Sequence, residues 1–334
     1  MRLLRKIAFP ISLVYALVIH IRNYLYDIGF LKSRTFDLPV ICIGNLSVGG
    51  TGKTPMIEFL ILLFQDSCNI AVLSRGYKRK SKGFLIGREE STVEELGDEP
   101  FQISSKFPKV VVAVDGNRTR GILELKKQVK PDVILLDDAF QHRKVKPGYS
   151  ILLTKYSNLY TDDRYLPTGD LRDGKKEARR ADAIVVTKCP SSLSQIERDT
   201  ITRRLGPTKD QQVFFSSLAY DLPVRDTTTV PWEDLMALKV TLVTGIASPE
   251  PLVRFLRSQG LVFEHLRFRD HHYFTKEELA LFKSKACILT TEKDYVRLKG
   301  KLKNLYYVPV HHNFLGKGQD LLNTELSNFM RQDS

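Results

Sequence analysis

The glycine-rich run Gly44-Asn-Leu-Ser-Val-Gly-Gly-Thr-Gly52-Lys53, with Thr54 and Pro55 next, follows an apolar strand at 38–43 and precedes a helical pattern of Met56, Ile57, Leu60, Ile61 and Phe64. Strand, glycine turn and helix in that order make a phosphate-binding loop. Gly49, Gly50 and Gly52 let the backbone turn its N–H groups around an anion, and the helix beginning at Lys53 adds the positive end of its dipole. Lys53 then reaches the β- and γ-phosphates of a nucleoside triphosphate, and Thr54 offers its hydroxyl to Mg²⁺. Ser47 stands where the usual G-x-x-x-x-G-K-[ST] pattern has glycine, so one position departs from it. The competing reading is a glycine-rich turn in an unrelated α/β protein.

At 334 residues and 43% hydrophobic the chain can bury a large core, and its length suits two domains. Cys42, Cys68, Cys189 and Cys287 are too far apart in sequence for any metal-binding or redox spacing, which points to a reducing interior. The net charge of +13 favours an anionic partner: nucleic acid, an acidic membrane surface or a phosphorylated substrate. Six basic residues (Arg2, Arg5, Lys6, Arg22, Lys32, Arg34) against Asp27 alone fall within residues 1–34 and border an apolar run at 7–19. That run is shorter than the roughly 20 residues a hydrocarbon core requires. It is followed by His20-Ile-Arg-Asn rather than by a small-residue cleavage site. With Tyr15, Tyr24, Tyr26 and Phe30 continuing it, the segment reads as a helix lying in a membrane interface, against the alternative of an ordinary core helix.

Beyond the loop, strands are expected at 70–74, 110–114, 133–136, 150–153 and 183–187, with helices at 101–107, 118–129 and 193–205. Such alternation predicts a parallel sheet sandwiched by helices, with ligands outside the carboxyl ends of its strands. A second alternation after the Pro223 to Pro231 stretch (strands 240–243, 262–268 and 286–289, helices 251–259 and 276–283) predicts a smaller α/β domain. The expected division is 1–34 as membrane-associated segment, 35–212 as the phosphate-loop domain, 226–303 as the smaller domain and 313–334 as a C-terminal segment. Segments 213–225 and 304–312 would form a β-ribbon between the two domains.

Several constellations fall at strand ends. Asp137 and Asp138 close an apolar strand, where a phosphate-loop protein keeps its Mg²⁺-organising acid. Gln141 and His142 follow on the same turn, placed to reach a substrate or simply to shape the turn. Arg75 and Arg118 each follow a strand and would face the ligand side. The loop Leu166-Pro-Thr-Gly-Asp-Leu-Arg172-Asp173 offers Arg172 to phosphate and Asp173 to a Mg²⁺ shell, though spacing alone favours a solvated loop. Asp98 suits the N-cap of the helix that follows it. His271 and His272 point to opposite sides of an extended segment, so one of them would face a cleft between domains.

Taken together, the glycine loop through Pro55, Ser74-Arg-Gly-Tyr77, Gly97-Asp-Glu-Pro100, Asp137-Asp-Ala-Phe-Gln-His142, Leu166-Pro-Thr-Gly-Asp-Leu-Arg172, Asp270-His-His and Thr291-Glu-Lys-Asp294 resemble the tetraacyldisaccharide 4'-kinase family of lipid A biosynthesis. The resemblance runs from the N-terminal apolar segment to about residue 310. It implies transfer of the γ-phosphoryl of ATP to the 4'-hydroxyl of a membrane-embedded, tetraacylated glucosamine disaccharide 1-phosphate, at the cytoplasmic face of the inner membrane. Two α/β/α domains would close over ATP. The resemblance gives Ser47, Gly49, Gly50, Thr51, Gly52, Lys53 and Thr54 to ATP, and Thr54, Asp137, Asp138 and Asp173 to Mg²⁺. It makes Asp98 the base, supported by His271, in place of the cap. Asn45, Arg75, Arg118, Gln141, His142 and Arg172 become substrate-binding candidates. Ser47 ceases to be a departure, because the family places Ser or Thr there. Asp173 stands where relatives often carry Glu.

The rivals lack their own signatures. A switch GTPase needs an Asn/Thr-Lys-x-Asp base reader, and Thr187-Lys188-Cys189-Pro190 has no such Asp. A membrane-surface partitioning ATPase carries an extra Lys before Gly-Gly, where Val48 stands. No nucleic-acid-binding module is present, so charge alone argues for that partner.

Overall fold

The computed structural model describes residues 8–332. The chain opens with α1 (Phe9–Asp27), β1 (Val40–Asn45), α2 (Lys53–Phe64), β2 (Ile70–Ser74), β3 (Leu85–Ile86), α3 (Val93–Leu96), α4 (Asp98–Lys106), β4 (Val111–Val114), α5 (Arg118–Gln128), β5 (Val133–Asp137), β6 (Tyr149–Lys155), β7 (Ala183–Thr187), α6 (Gln195–Leu205) and β8 (Gln212–Tyr220). It continues through β9 (Val224–Arg225), β10 (Thr228–Thr229), α7 (Trp232–Met236), β11 (Val240–Thr244), α8 (Glu250–Ser258), β12 (Phe263–Arg267), α9 (Lys276–Lys283), β13 (Cys287–Thr291), α10 (Glu292–Leu298), β14 (Leu305–Val308), β15 (Val310–Phe314) and α11 (Gly318–Gln332).

Nine strands form the main sheet in the order β15-β8-β7-β6-β1-β5-β2-β4-β3. The seven from β8 to β4 are parallel, and β3 and β15 pair antiparallel at the edges. Every residue of β1 is buried although successive side chains point to opposite faces, because helices cover both. Ile41 and Ile43 meet α2 through Met56, Ile57, Leu60 and Ile61, and this core extends to Leu322 and Leu326 of α11. Val40 and Cys42 belong to the opposite core, with Ile122, Leu125, Ile201 and Leu205 of α5 and α6. All four cysteines are free.

The smaller sheet runs β10-β9-β14-β13-β11-β12. Leu252 and Leu256 of α8 cover one face, and Phe282 of α9 with Tyr295, Val296 and Leu298 of α10 cover the other. The chain leaves the main sheet after β8 and returns at β15, so two short crossings around 221–223 and 309 join the sheets. The two segments expected to form a ribbon, 213–225 and 304–312, do run antiparallel to each other, but their pairing is divided between the two sheets. Residues 216–220 pair antiparallel with 310–314 at the edge of the main sheet, while 305–308 lies beside β13 in the smaller sheet and meets Val224 of β9 through Tyr307.

Helix α1 is inverted in polarity. Its buried positions are Ser12, Ile19 and Asn23, whereas Ile11, Val14 and Leu17 are 61, 63 and 60% exposed. A surface helix of a soluble protein does the opposite. Among the described residues, no helix is long and apolar enough to cross a membrane. The basic residues Arg2, Arg5 and Lys6 lie outside the described residues.

Candidate active site

The phosphate loop leaves the carboxyl end of β1 and enters α2, whose N-cap is Gly52 at φ +89°. A side chain there would be strained by the backbone and would meet the His312 ring at 3.1 Å. The loop is held from several sides. Asn45 Nδ2 donates to Thr51 Oγ1 at 3.0 Å, and Thr187 Oγ1 donates to the Thr51 carbonyl at 2.8 Å. Ser47 Oγ donates to Asp163 at 2.6 Å, which is work a glycine at that position could not do. His312 reaches the Gly52 carbonyl through Nε2 at 2.9 Å and Ser216 through Nδ1. Gly49 and Gly50 form the exposed outer turn, and Thr54 sits half-buried in the first turn of α2.

Lys53 points toward the end of β5, its Nζ 3.7 Å from Asp138. Arg172 also grips Asp138 and, on its other side, the Asn45 side chain. Burial alone would raise the Asp138 carboxyl, but Lys53 and Arg172 bring it down to about 2. Asp137 is the reverse case: burial, with Glu99 and Asp138 adding like charge, pushes it up to about 7. Its Oδ2 accepts from Ser74 Oγ at 2.8 Å, while Oδ1 is buried without a hydrogen-bond partner among the described residues. An orphaned carboxylate oxygen at the end of β5, repelled by Glu99 and Asp138, fits a divalent cation. No group of three or more His, Cys, Asp or Glu side chains gathers as a cage among the described residues. Magnesium needs none, since it uses one or two carboxylates and completes its shell with phosphate and water.

Across from the loop stands the Asp98 pair. Asp98 is the first residue of α4, with Gly97 at the N-cap and no side-chain cap bond, so the capping role expected from its type is not the one it takes. Gly97 has φ +89°, and a Cβ there would lie 2.9 Å from the Tyr77 carbonyl; this packs the Ser74-Arg-Gly-Tyr77 turn against the start of α4. The Asp98 carboxylate reaches out of the main domain to His271 Nδ1 at 2.7 Å and to Arg297 Nε at 3.0 Å, with the Arg297 terminal nitrogen completing a two-pronged grip. Burial would raise this carboxyl, but the hydrogen bonds from His271 and Arg297 prevail and hold it well below the usual carboxylate range. The circuit closes in the smaller domain. Arg297 donates to Asp294, Asp294 accepts from the Gly245 N–H at 2.8 Å, and the Gly245 carbonyl accepts from the His271 N–H at 3.1 Å. His271 is therefore the histidine facing the main domain, while His272 turns to Glu278 at 2.8 Å and stacks on Phe268.

Three candidates take places other than those expected. Asp173 is fully buried and receives Asn23 Nδ2 at 2.7 Å, the Gly174 N–H at 2.8 Å and Arg22 at 3.4 Å. Its oxygens tie α1 to the loop instead of standing open to a cation. Arg118 is 2% exposed and spends its guanidinium on the carbonyls of Asp115 and Asp137, beneath the site. Gln141 donates to the Asn45 carbonyl at 2.6 Å, bracing the strand behind the loop. Arg75 is exposed at the end of β2, with no hydrogen bond or ion pair among the described residues. Burial, reinforced by Arg118 and Lys144, lowers His142 to about 4, leaving a neutral ring whose Nε2 is buried without a partner among the described residues.

A sequence profile described as LpxK: Tetraacyldisaccharide-1-P 4'-kinase matches residues 4–330. The chain belongs to this family. A tetraacyldisaccharide 4'-kinase of Flavobacterium johnsoniae is 50% identical over 327 residues, covering 96% of each chain. One of Bacteroides thetaiotaomicron is 43% identical over 359 residues, covering 99% of this chain and 94% of the relative. Among solved structures, LpxK from Aquifex aeolicus in complex with ATP superposes with a TM-score of 0.80 at 33% identity, over 98% of this chain and 99% of that one.

Within this kinase family's scaffold, sequence reasoning overlooked four side chains that the fold brings to the site. Arg297 lies three residues beyond the Thr291-Glu-Lys-Asp294 motif, and the i, i+3 spacing on a helix that puts it against Asp294 was the available signal. Lys293, from the same helix, meets His271 Nε2 at 3.1 Å and Glu99 at 3.7 Å. Lys155 and Lys188, at the ends of β6 and β7, stand over the glycine turn. Lys155 belongs to no motif that marks it, and Lys188 lies in Thr187-Lys188-Cys189-Pro190, which sequence reasoning weighed only as a guanine reader lacking its acid.

Proposed function

We propose that this chain phosphorylates the 4'-hydroxyl of tetraacyldisaccharide 1-phosphate with ATP, using Asp98 and His271 as its proton-handling pair and working on a membrane surface. The observation that carries the reading is the placement of Asp98 and His271 opposite Lys53, Asp137 and Asp138. One sheet supplies the grip on a triphosphate and the other completes the acceptor side. Thr54, Asp137 and Asp138 would hold Mg²⁺, which when bound neutralises charge on the phosphate oxygens. Lys53 releases Asp138 for phosphate, and Arg172 keeps Asp138 aligned with the loop through Asn45.

Phosphoryl transfer passes through a loose transition state, so the acceptor hydroxyl needs orientation more than early deprotonation. A carboxylate that stays ionised until the acceptor arrives, as Asp98 does, suits that task. A carboxylate offers about four lone-pair sites, and three donors from Arg297 and His271 occupy Asp98, leaving one to accept the 4'-hydroxyl. As the hydroxyl oxygen bonds to phosphorus its proton passes to Asp98, with His271 holding the carboxyl in place.

The membrane part of the reading rests on α1. Its polar side is pinned to the main domain: Ser12 Oγ donates to Thr168 at 2.6 Å, Tyr15 donates to the Arg172 carbonyl at 3.0 Å, and Arg143 joins Asp27. Its apolar side is left outward, which suits burial in the headgroup boundary of the cytoplasmic face of the inner membrane. Four acyl chains keep the acceptor in that layer, so the enzyme must meet it there.

The test is incubation of the protein with labelled ATP, magnesium and acylated disaccharide 1-phosphate in detergent, followed by location of the label. A 4'-phosphate is the expected product. Asp98→Ala and His271→Ala are each expected to lower kcat by about 10²–10⁴-fold; kcat near wild type in both would overturn the assignment of the pair.

A further inference from the structure

Two lysines converge on the outer turn of the phosphate loop, on the side away from the Asp98 pair. Lys155 is the last residue of β6 and Lys188 directly follows β7, and both strands lie on the far side of β1 from β5. A Cβ placed on Gly49 would stand 3.0 Å from Lys155 Nζ, and one on Gly50 would stand 3.9 Å from Lys188 Nζ. Both side chains are half-buried, and neither ammonium has a hydrogen bond or ion pair among the described residues. Burial, with the charge of Lys155 beside it, lowers Lys188 to about 8. The Lys188 backbone is held at φ +58°, a conformation a residue with a side chain adopts only where its surroundings impose it. Two like charges kept together, partly dry and without a counter-ion, are unfavourable unless an anion arrives between them.

The fold says which part of the anion this is. Lys53, Asp137, Asp138 and Asp98 all lie toward β5 and α4, so the group to be transferred sits there. What extends over Gly49 and Gly50 toward β6 and β7 is the part of the nucleotide that stays behind. We propose that Lys155 and Lys188 form a second cationic clamp that holds the α- and β-phosphates, gripping ADP as firmly as ATP and so setting the rate of product release. This rests on the reading of the loop as an ATP site. It also gives a task to Thr187-Lys188-Cys189-Pro190, which occupies the position of a guanine reader without its acid. An interaction equal in substrate and product tightens binding without lowering the chemical barrier.

The experiment measures Kd for Mg-ATP and Mg-ADP, together with the melting temperature with and without ADP. The proteins are full-length wild type, Lys155→Met, Lys188→Met and the charge-preserving Lys155→Arg. Loss of one charge-assisted contact is expected to weaken ATP and ADP by the same factor, about tenfold or more. Lys155→Arg should retain most of the affinity. The ADP-dependent rise in melting temperature should shrink, while the ligand-free protein melts no lower than wild type, because removing one of two unpaired like charges relieves repulsion. The clamp is overturned if both Met variants bind ADP as wild type does, if ATP weakens and ADP does not, or if the ligand-free melting temperature collapses in both. If wild type shows no response to either nucleotide, the ATP reading of the loop fails and takes the clamp with it; wild-type binding that the Met variants match refutes the clamp alone.

Discussion

Arg297 sets the position of the Asp98 carboxylate at the scale of one residue. It is almost fully buried and joins Asp98 to Asp294, so it couples the first turn of α4 to the smaller sheet. Removing one member of a buried, hydrogen-bonded ion pair costs roughly 3–5 kcal/mol, because the partner is left charged and unpaired. Arg297→Ala should therefore lower both urea stability and kcat. Arg297→Lys should recover part of the stability and little of the kcat, since a point charge cannot reproduce the planar two-pronged grip on Asp98. Stability loss with unchanged kcat in both variants would deny it a part in placing Asp98. The convergence of Lys53 with the Asp137-Asp138 strand end was legible in the sequence because it follows from a loop and an acidic pair that each leave the carboxyl end of a strand. Arg297, Lys155 and Lys188 were not, because each is an ordinary residue at the end of its element and only the long-range order of strands brings it to the site. The partners of Asp173 were hidden for a related reason. Its side chain looked free in a polar loop until α1 packed Asn23 and Arg22 against it.

Among the elements, α1 carries the plainest message. Its outward face presents Ile11, Val14, Leu17, Val18 and Ile21 with no charge among them, while Ser12 and Asn23 face the protein. Val14→Glu with Leu17→Glu should leave the internal contacts of α1 intact and abolish sedimentation with anionic vesicles. Vesicle binding equal to wild type would show that this face is not the membrane contact. The aromatic and apolar character of the segment was readable from sequence; the burial of its few polar residues was not, since their partners Thr168 and Asp173 lie some 150 positions away. The two segments around Pro309 show the same limit. Residues 305–308 and 310–314 both alternate acceptably as strands, and which of them pairs with β8 depends on contacts between the sheets that local pattern does not encode.

On the scale of the whole molecule, Lys106 of α4 links the phosphate helix to the smaller sheet. Its ammonium lies 2.6 Å from Glu58 of α2 and 2.6 Å from Glu292 of α10, and all three line a cavity of 930 Å³ between the two sheets. Burial and the neighbouring Glu292 push Glu58 up to about 7, against the pull of Lys106. A carboxyl whose folded pKa lies above its unfolded value of 4.5 contributes stability that is complete below 4.5 and is lost as pH rises through 7. The shift corresponds to about 3 kcal/mol as an upper bound. Urea unfolding at pH 5 and pH 8 should show wild type losing more stability over that interval than Glu58→Gln. The difference between the two proteins cancels the contribution of Asp137, which shifts in the same direction. Equal losses would remove Glu58 as the cause. The alternating α/β order that made the two sheets readable gave no hint of this linkage, which arises only where α2, α4 and α10 meet.

The loop at 166–173 serves two neighbours at once. It seats α1 through Thr168, Arg172 and Asp173, and it pairs with the phosphate loop through Ser47 and Leu171. The catalytic mouth is thereby fixed at a set height above whatever plane α1 occupies. On the proposed membrane reading, an enzyme mounted this way would find its acceptor by sliding sideways, so its pace would follow how many lipids share a patch of bilayer rather than how many are dispersed in a given volume.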